Sequence, residues 1–193
     1  MTPGIILKAM DFLTHPLEAF KKSREDDMRS VIRFYFAFLL ANAVLTALAS
    51  LTGVGIFGLI RRSLYIHNPV IIFFLVILSG IIGIPLLGAW LHLWVYIAGG
   101  RKGFTFTLKA VMYGSTPVLL LSWIPFIGII FYLWGVILTI FGIHELHEID
   151  GDQAAFAVIV PIVIVVVIIV LLIARLFLAG VLTNMPLTRF RYF

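Results

Sequence analysis

Five ionisable residues stand out in a chain otherwise poor in reactive groups: His92, His144, Glu145, His147 and Glu148. His92 lies between Trp90 and Trp94 inside a long apolar run, where an ionisable side chain is costly and marks a functional candidate. Two imidazoles and a carboxylate suit Zn²⁺, so His92, Glu145 and His147 form a candidate metal set, with His144 or Glu148 as a fourth ligand. The simpler reading is a hydrogen bond from His92 to Glu145 or to a backbone carbonyl, joining two helices. Proton-coupled chemistry is a third use. On a helix His144, His147 and Glu148 share one face, and Glu145 points elsewhere, towards His92. Glu145 and His147 are two residues apart, so both reach one ion only if the helix unwinds near Gly142 or Leu146. That requirement ranks the hydrogen bond above the metal.

Other signatures of chemistry are missing from the sequence. It holds no Walker-type glycine loop, no H-E-x-x-H, no Gly-x-Ser-x-Gly elbow and no cysteine. Gly99-Gly100-Arg101-Lys102-Gly103 is glycine-rich and basic, but it sits at the end of an apolar run without a strand–loop–helix around it. It reads as a connecting loop. No residue stands out as catalytic or cofactor-binding, and zinc is the one cofactor these residue types suit.

The elements that must position these residues follow from composition. Of 193 residues, 62% are apolar and 12% charged, and the mean hydropathy is +1.15. Soluble domains are about half apolar and about a quarter charged. A soluble enzyme, a disordered tail and a nucleic-acid module are therefore excluded, and an all-α integral membrane bundle is expected.

A membrane span needs roughly 20 apolar residues. Residues 31–51 form the first run, with Arg33 at an edge where it can snorkel to the headgroups. Residues 69–97 form the second, a tilted or kinked helix containing Pro85. The apolar stretch 105–143 would reach about 58 Å as one helix, nearly twice the hydrocarbon thickness. It must turn near Ser122-Trp123-Ile124-Pro125-Phe126, which gives spans 105–122 and 126–143, the former bent at Pro117. Residues 154–179, rich in Val and Ile, complete a membrane domain over 31–179 with five transmembrane helices.

Odd parity separates the termini. Nine basic residues lie on the N-terminal side (Lys8, Lys21, Lys22, Arg24, Arg29, Arg33, Arg101, Lys102, Lys109) and five on the other (Arg61, Arg62, Arg175, Arg189, Arg191). The positive-inside rule then puts the N-terminus in the cytosol and the C-terminus outside, with His92 and His144–Glu148 in the cytosolic leaflet. Residues 1–30 read as an amphipathic interfacial segment rather than a signal peptide. Ile6, Met10, Leu13, Leu17 and Phe20 form its apolar stripe, with Lys8, Asp11, Glu18 and Lys22 opposite, a break at His15-Pro16, and a solvated linker over 21–29. Residues 180–193 form a short tail.

Two glycine rows complete the pattern. Gly128, Gly135 and Gly142 recur every seven residues on the fourth span, and Gly80, Gly83 and Gly88 mark the second. Small residues let helices approach in lipid, so both rows are expected to be packing surfaces, within the bundle or between copies.

Several segments resemble the Yip-domain family, membrane proteins named for interacting with Ypt/Rab GTPases. His15-Pro16-Leu17-Glu18-Ala19-Phe20 is similar to its segment before the first span. Leu91-His92-Leu93 with Gly99-Gly100-Arg101-Lys102-Gly103-Phe104 resembles its second-span end. Tyr113-Gly114-Ser115-Thr116-Pro117 resembles its kink, and Gly142-Ile143-His144-Glu145-Leu146-His147, with Ala154-Ala155 and Pro161, its fourth-span end. The prokaryotic branch fits better than the eukaryotic one. The resemblance implies a five-span bundle with a cytosolic N-terminus and, for eukaryotic members, Rab binding in membrane traffic. This chain lacks their long hydrophilic N-terminal region and the D-L-Y-G-P motif before the first span, so small-GTPase binding is not carried over to it.

Three functions are compatible with these residues. The first is a non-enzymatic membrane protein that organises membrane or partner proteins by helix packing, with the lipid bilayer, its own copies or other membrane proteins as partners. The second is a small transporter or metal-binding permease using the His/Glu cluster. The third, an intramembrane metal-dependent enzyme, would have only that cluster to work with. No nucleic-acid partner is expected, and a prokaryotic chain would reside in the cell membrane.

Overall fold

The computed structural model describes residues 4–52, 68–124 and 127–183. Arg61, Arg62, Pro125, Phe126, and Arg189 and Arg191 of the tail lie outside them. All described elements are helices: α1 (Ile5–Thr14), α2 (Pro16–Ser23), α3 (Met28–Leu51), α4 (Pro69–Ile97), α5 (Phe104–Gly114), α6 (Thr116–Leu121), α7 (Gly128–His147) and α8 (Gly151–Thr183). Five stretches of them are long and apolar enough to cross a membrane: α3, α4, α5 continued by α6, α7, and α8 as far as Ala179.

Local chemistry sets the boundaries. His15 leaves the helical region before Pro16, which starts α2 at a position where its missing N–H costs nothing. Asn68 caps α4 by accepting the Val70 N–H at 2.9 Å, and Pro69 again takes the first helical position. Pro85 is accommodated inside α4. The third span breaks at Ser115, just ahead of Pro117, into α5 and α6. Gly99 and Gly103 bracket the turn from α4 to α5 with φ of 106° and 99°, a region where a Cβ would be strained.

Two compact units are present. The first, Met1–Val158, holds the core. There α3 packs on α4, α5 lies against both α4 and α7, and α6 contacts α3 and α7. Helix α2 lies on α7, and the start of α8 adds Ala154, Ala157 and Val158 to the core. In its described part the second unit, Ile159–Phe193, is the Val-, Ile- and Leu-rich continuation of α8. A lone helix cannot bury its own side chains, so this surface suits lipid.

The glycines take different roles. A Cβ on Gly80 would fall 2.5 Å from Leu39, one on Gly135 2.9 Å from Val118, and one on Gly142 2.8 Å from the Phe20 ring. Gly88 faces Leu108, and Gly128 faces the backbone of Ser122 in the turn before it. Gly83 has open space around it. These contacts lie inside the bundle, and Gly83 is the member of the two rows that takes no part in them.

The N-terminal segment is more than an interfacial float. Phe12 and Phe20 are fully buried and surround Tyr113 of α5 together with Phe34 of α3. Ile6, Met10 and Leu17 of the expected stripe face outward instead. Helix α1 thus has two apolar faces, one bound to the bundle and one free for lipid. The linker over 21–29 is not simply solvated either. Ser23 is buried, and Arg24 and Asp26 are bonded to other helices.

Candidate functional site

The polar groups gather at the end of the bundle where α1 and α2 lie. His92 is on α4, two turns before the Gly99–Gly103 turn, and His147 is the last residue of α7. Between them stands Thr107 of α5. Its Oγ1 lies 2.8 Å from His92 Nδ1 and 2.9 Å from His147 Nε2. The imidazole centroids are 6.2 Å apart. Thr107 is fully buried and His147 nearly so. One hydroxyl has one proton to donate, so one imidazole accepts it and the other donates to the oxygen. The tautomers of His92 and His147 are therefore coupled through Thr107, and three helices are joined by two hydrogen bonds.

Glu145 is not part of this group. Two residues on a helix are about 200° apart, so with His147 turned towards α4 and α5, Glu145 faces α2. Its buried carboxylate meets Arg24 at 3.4 Å and Lys21 at 4.0 Å, with His144 Nε2 at 3.8 Å. Arg24 also donates to the Glu145 carbonyl at 2.5 Å. The expected His92–Glu145 contact is replaced by His92–Thr107–His147, and the helix stays wound through Gly142 and Leu146. It ends at Glu148, whose left-handed φ of 55° closes α7. His144 Nδ1 contacts the Ile149 carbonyl at 2.5 Å.

The candidate zinc ligands are thus divided. His92 and His147 share a hydroxyl, Glu145 and His144 are on another side of α7, and Glu148 is outside the bundle. Among the described residues no three His, Asp or Glu side chains are grouped to hold a metal ion.

Three further participants carried no clear signal in the sequence. Thr107 looks like any polar residue near a span end. Lys109, one of the basic residues of the N-terminal side, is inside α5 and buried. Its Nζ donates to the Arg24 carbonyl at 3.1 Å, at the C-terminal end of α2, where a cation satisfies an unpaired acceptor and the helix dipole together. The Phe106 ring lies 5.1 Å away. Tyr113, noticed above only beside the kink, donates to Asp26 at 2.6 Å. Lys8 reaches that same carboxylate at 2.6 Å and the phenol oxygen at 2.8 Å. The missed signal was the pairing of polar residues in the N-terminal segment with polar residues in the third span.

Outside the spans, Lys102 reaches Glu148 at 2.6 Å and Arg24 reaches it at 3.1 Å, fastening the α4–α5 turn to the end of α7 and to α2. The Lys102 hydrogen bond and charge, with a smaller contribution from Arg24, hold the Glu148 carboxyl below its ordinary value of 4.5. A depressed carboxyl stabilises the fold above its unfolded-state pKa, and that contribution is lost as pH falls through the folded value. The melting temperatures of the natural chain and Glu148→Gln should therefore differ slightly at about pH 7 and converge by about pH 3. A gap that persists on acidification would remove this clasp from the account.

Fold and site together define a polytopic helical membrane protein in which buried polar groups link helix to helix. The chain belongs to the Yip1 domain family, whose sequence model matches residues 10–174, from within α1 to within α8. No curated protein and no solved structure matches the chain.

Proposed function

We propose that this protein is a non-enzymatic organiser of membrane, working by association of its helices with other copies or other membrane proteins. The observation that carries the reading is the contrast between its interior and its outer surface. The polar groups at this end of the bundle, His92, Thr107, His147, Glu145, Arg24 and Lys109, each bond to a neighbouring element and tie the helices together. Helix α4, by contrast, buries only Ile72, Gly88, Leu91 and Val95 and turns Phe74, Leu78, Ile82 and Leu86 outward. Gly83 lies in the same stretch with room for a neighbouring helix to approach. The charge asymmetry supports a cytosolic N-terminus, and the likeness to prokaryotic members supports residence in the cell membrane.

Photo-crosslinking from α4 tests this reading. A crosslinking residue at Phe74 or Leu78 should give protein adducts in native membranes, including a dimer of the chain. Liposomes containing the protein should take up no more Zn²⁺ or protons than empty ones. Adducts to lipid alone, together with uptake that His92→Ala abolishes, would replace the organiser with the permease reading.

A further inference from the structure

We propose that the pocket between α1, α2 and the start of α3 binds the headgroup of an anionic phospholipid. The cavity has a volume of about 450 Å³ and is lined by three cations, Lys8, Lys22 and Arg33. Lys8 is spent on Asp26, which also takes the Tyr113 hydroxyl. Lys22 and Arg33 have no ion pair or hydrogen bond among the described residues. Asp11 is the one lining carboxylate without such a partner. Two unpaired cations thus face one unpaired carboxylate, leaving a net positive charge that an anionic headgroup balances. A phosphodiester suits Lys22 and Arg33, since a guanidinium and an ammonium together offer charge-assisted hydrogen bonds to its oxygens. Asp11 can accept from the hydroxyls of a glycerol headgroup.

Placement favours a lipid over a soluble phosphate. Arg33 stands five residues into α3, about 7.5 Å from its start, exposed at the span edge from which it reaches the headgroup level, where a lipid phosphate is the counter-charge at hand. Of the apolar lining, Phe12 and Phe34 are buried in the bundle and Ile5 is exposed, an apolar surface beside the cations that an acyl chain can use and inorganic phosphate cannot. Ile6, Leu7 and Met10, on the outer side of α1, are exposed. Sinking that face into the acyl boundary brings the mouth of the pocket to headgroup depth.

Native mass spectrometry of the full chain, purified in a neutral detergent and offered dioleoyl-phosphatidylglycerol or dioleoyl-phosphatidylcholine, tests the site. One phosphatidylglycerol should remain bound per chain under conditions that strip phosphatidylcholine. Lys22→Gln combined with Arg33→Gln should weaken its binding about tenfold or more, as expected for lost charge-assisted contacts. Both side chains are exposed and unpaired, so the variant should fold, which its unchanged melting temperature would verify. Lys102→Gln, on the clasp to Glu148, should bind as the natural chain does. Equal retention of the two lipids, full binding by the double variant, or displacement by inorganic phosphate at concentrations comparable to the lipid would overturn the proposal.

Discussion

Replacing Thr107 with valine should lower the stability of the bundle by about 2–4 kcal/mol. Valine keeps the shape of the side chain and removes its hydroxyl, so the cavity term is small and the loss is polar. Two imidazole nitrogens, His92 Nδ1 in a half-buried place and His147 Nε2 in a buried one, would then be left without their partner. Each unsatisfied buried group costs about 1–3 kcal/mol. For a chain of this length that corresponds to a fall in melting temperature of about 4–16 °C. Thr107→Ser keeps the hydroxyl and loses one methyl, worth about 1 kcal/mol or less. Thermal unfolding of both variants in the same detergent gives the comparison, and equal losses would show that the hydroxyl between the imidazoles contributes nothing.

Gly114→Leu should be comparably damaging. A Cβ at Gly114 would fall 3.0 Å from both the Cα and the backbone nitrogen of Thr139 on α7. Rotating a side chain cannot relieve a clash with backbone, so α5 and α7 would have to separate. Overpacking a well-filled interior costs about 1–3 kcal/mol and sometimes more, and this site belongs at the upper end. Gly83→Leu is the matched control, because nothing stands within 4 Å of the added carbon. Its effect on the melting temperature of the isolated chain should be close to zero. Similar losses for both would mean that glycine here serves helix flexibility rather than close approach.

These two residues also mark how far the sequence could be read. Gly135 and Gly142 announced a packing face by their seven-residue spacing, because periodicity is a property of the helix itself. Gly114, which lets α5 approach the backbone of α7, stands in no such row. Its role depends on Thr139 being opposite, and no local pattern in either helix encodes that. Lys109 shows the same limit. Its charge is costly inside an apolar span, and the carbonyl of Arg24, 85 residues away in the chain, gives it a partner that no local pattern announces. Phe20 was legible as apolar and helical. That it would meet Tyr113 and Gly142, rather than lipid, was not.

The sequence by itself determined that this is an all-helical membrane protein with five spans, its N-terminal segment broken at Pro16 and its third span at Pro117, with His92 and the His144–Glu148 group towards the same end. Those features follow from run length, hydropathy and proline geometry, which act on each segment against a common solvent. The tertiary structure alone decided that His147 rather than Glu145 pairs with His92, and that Thr107 stands between the imidazoles. It also turned Glu145 towards Arg24 and closed the N-terminal helices over Tyr113. The physical reason is rotational. Membrane insertion is nearly indifferent to which way a helix is turned about its axis, and only the neighbours against which it packs select one face over another.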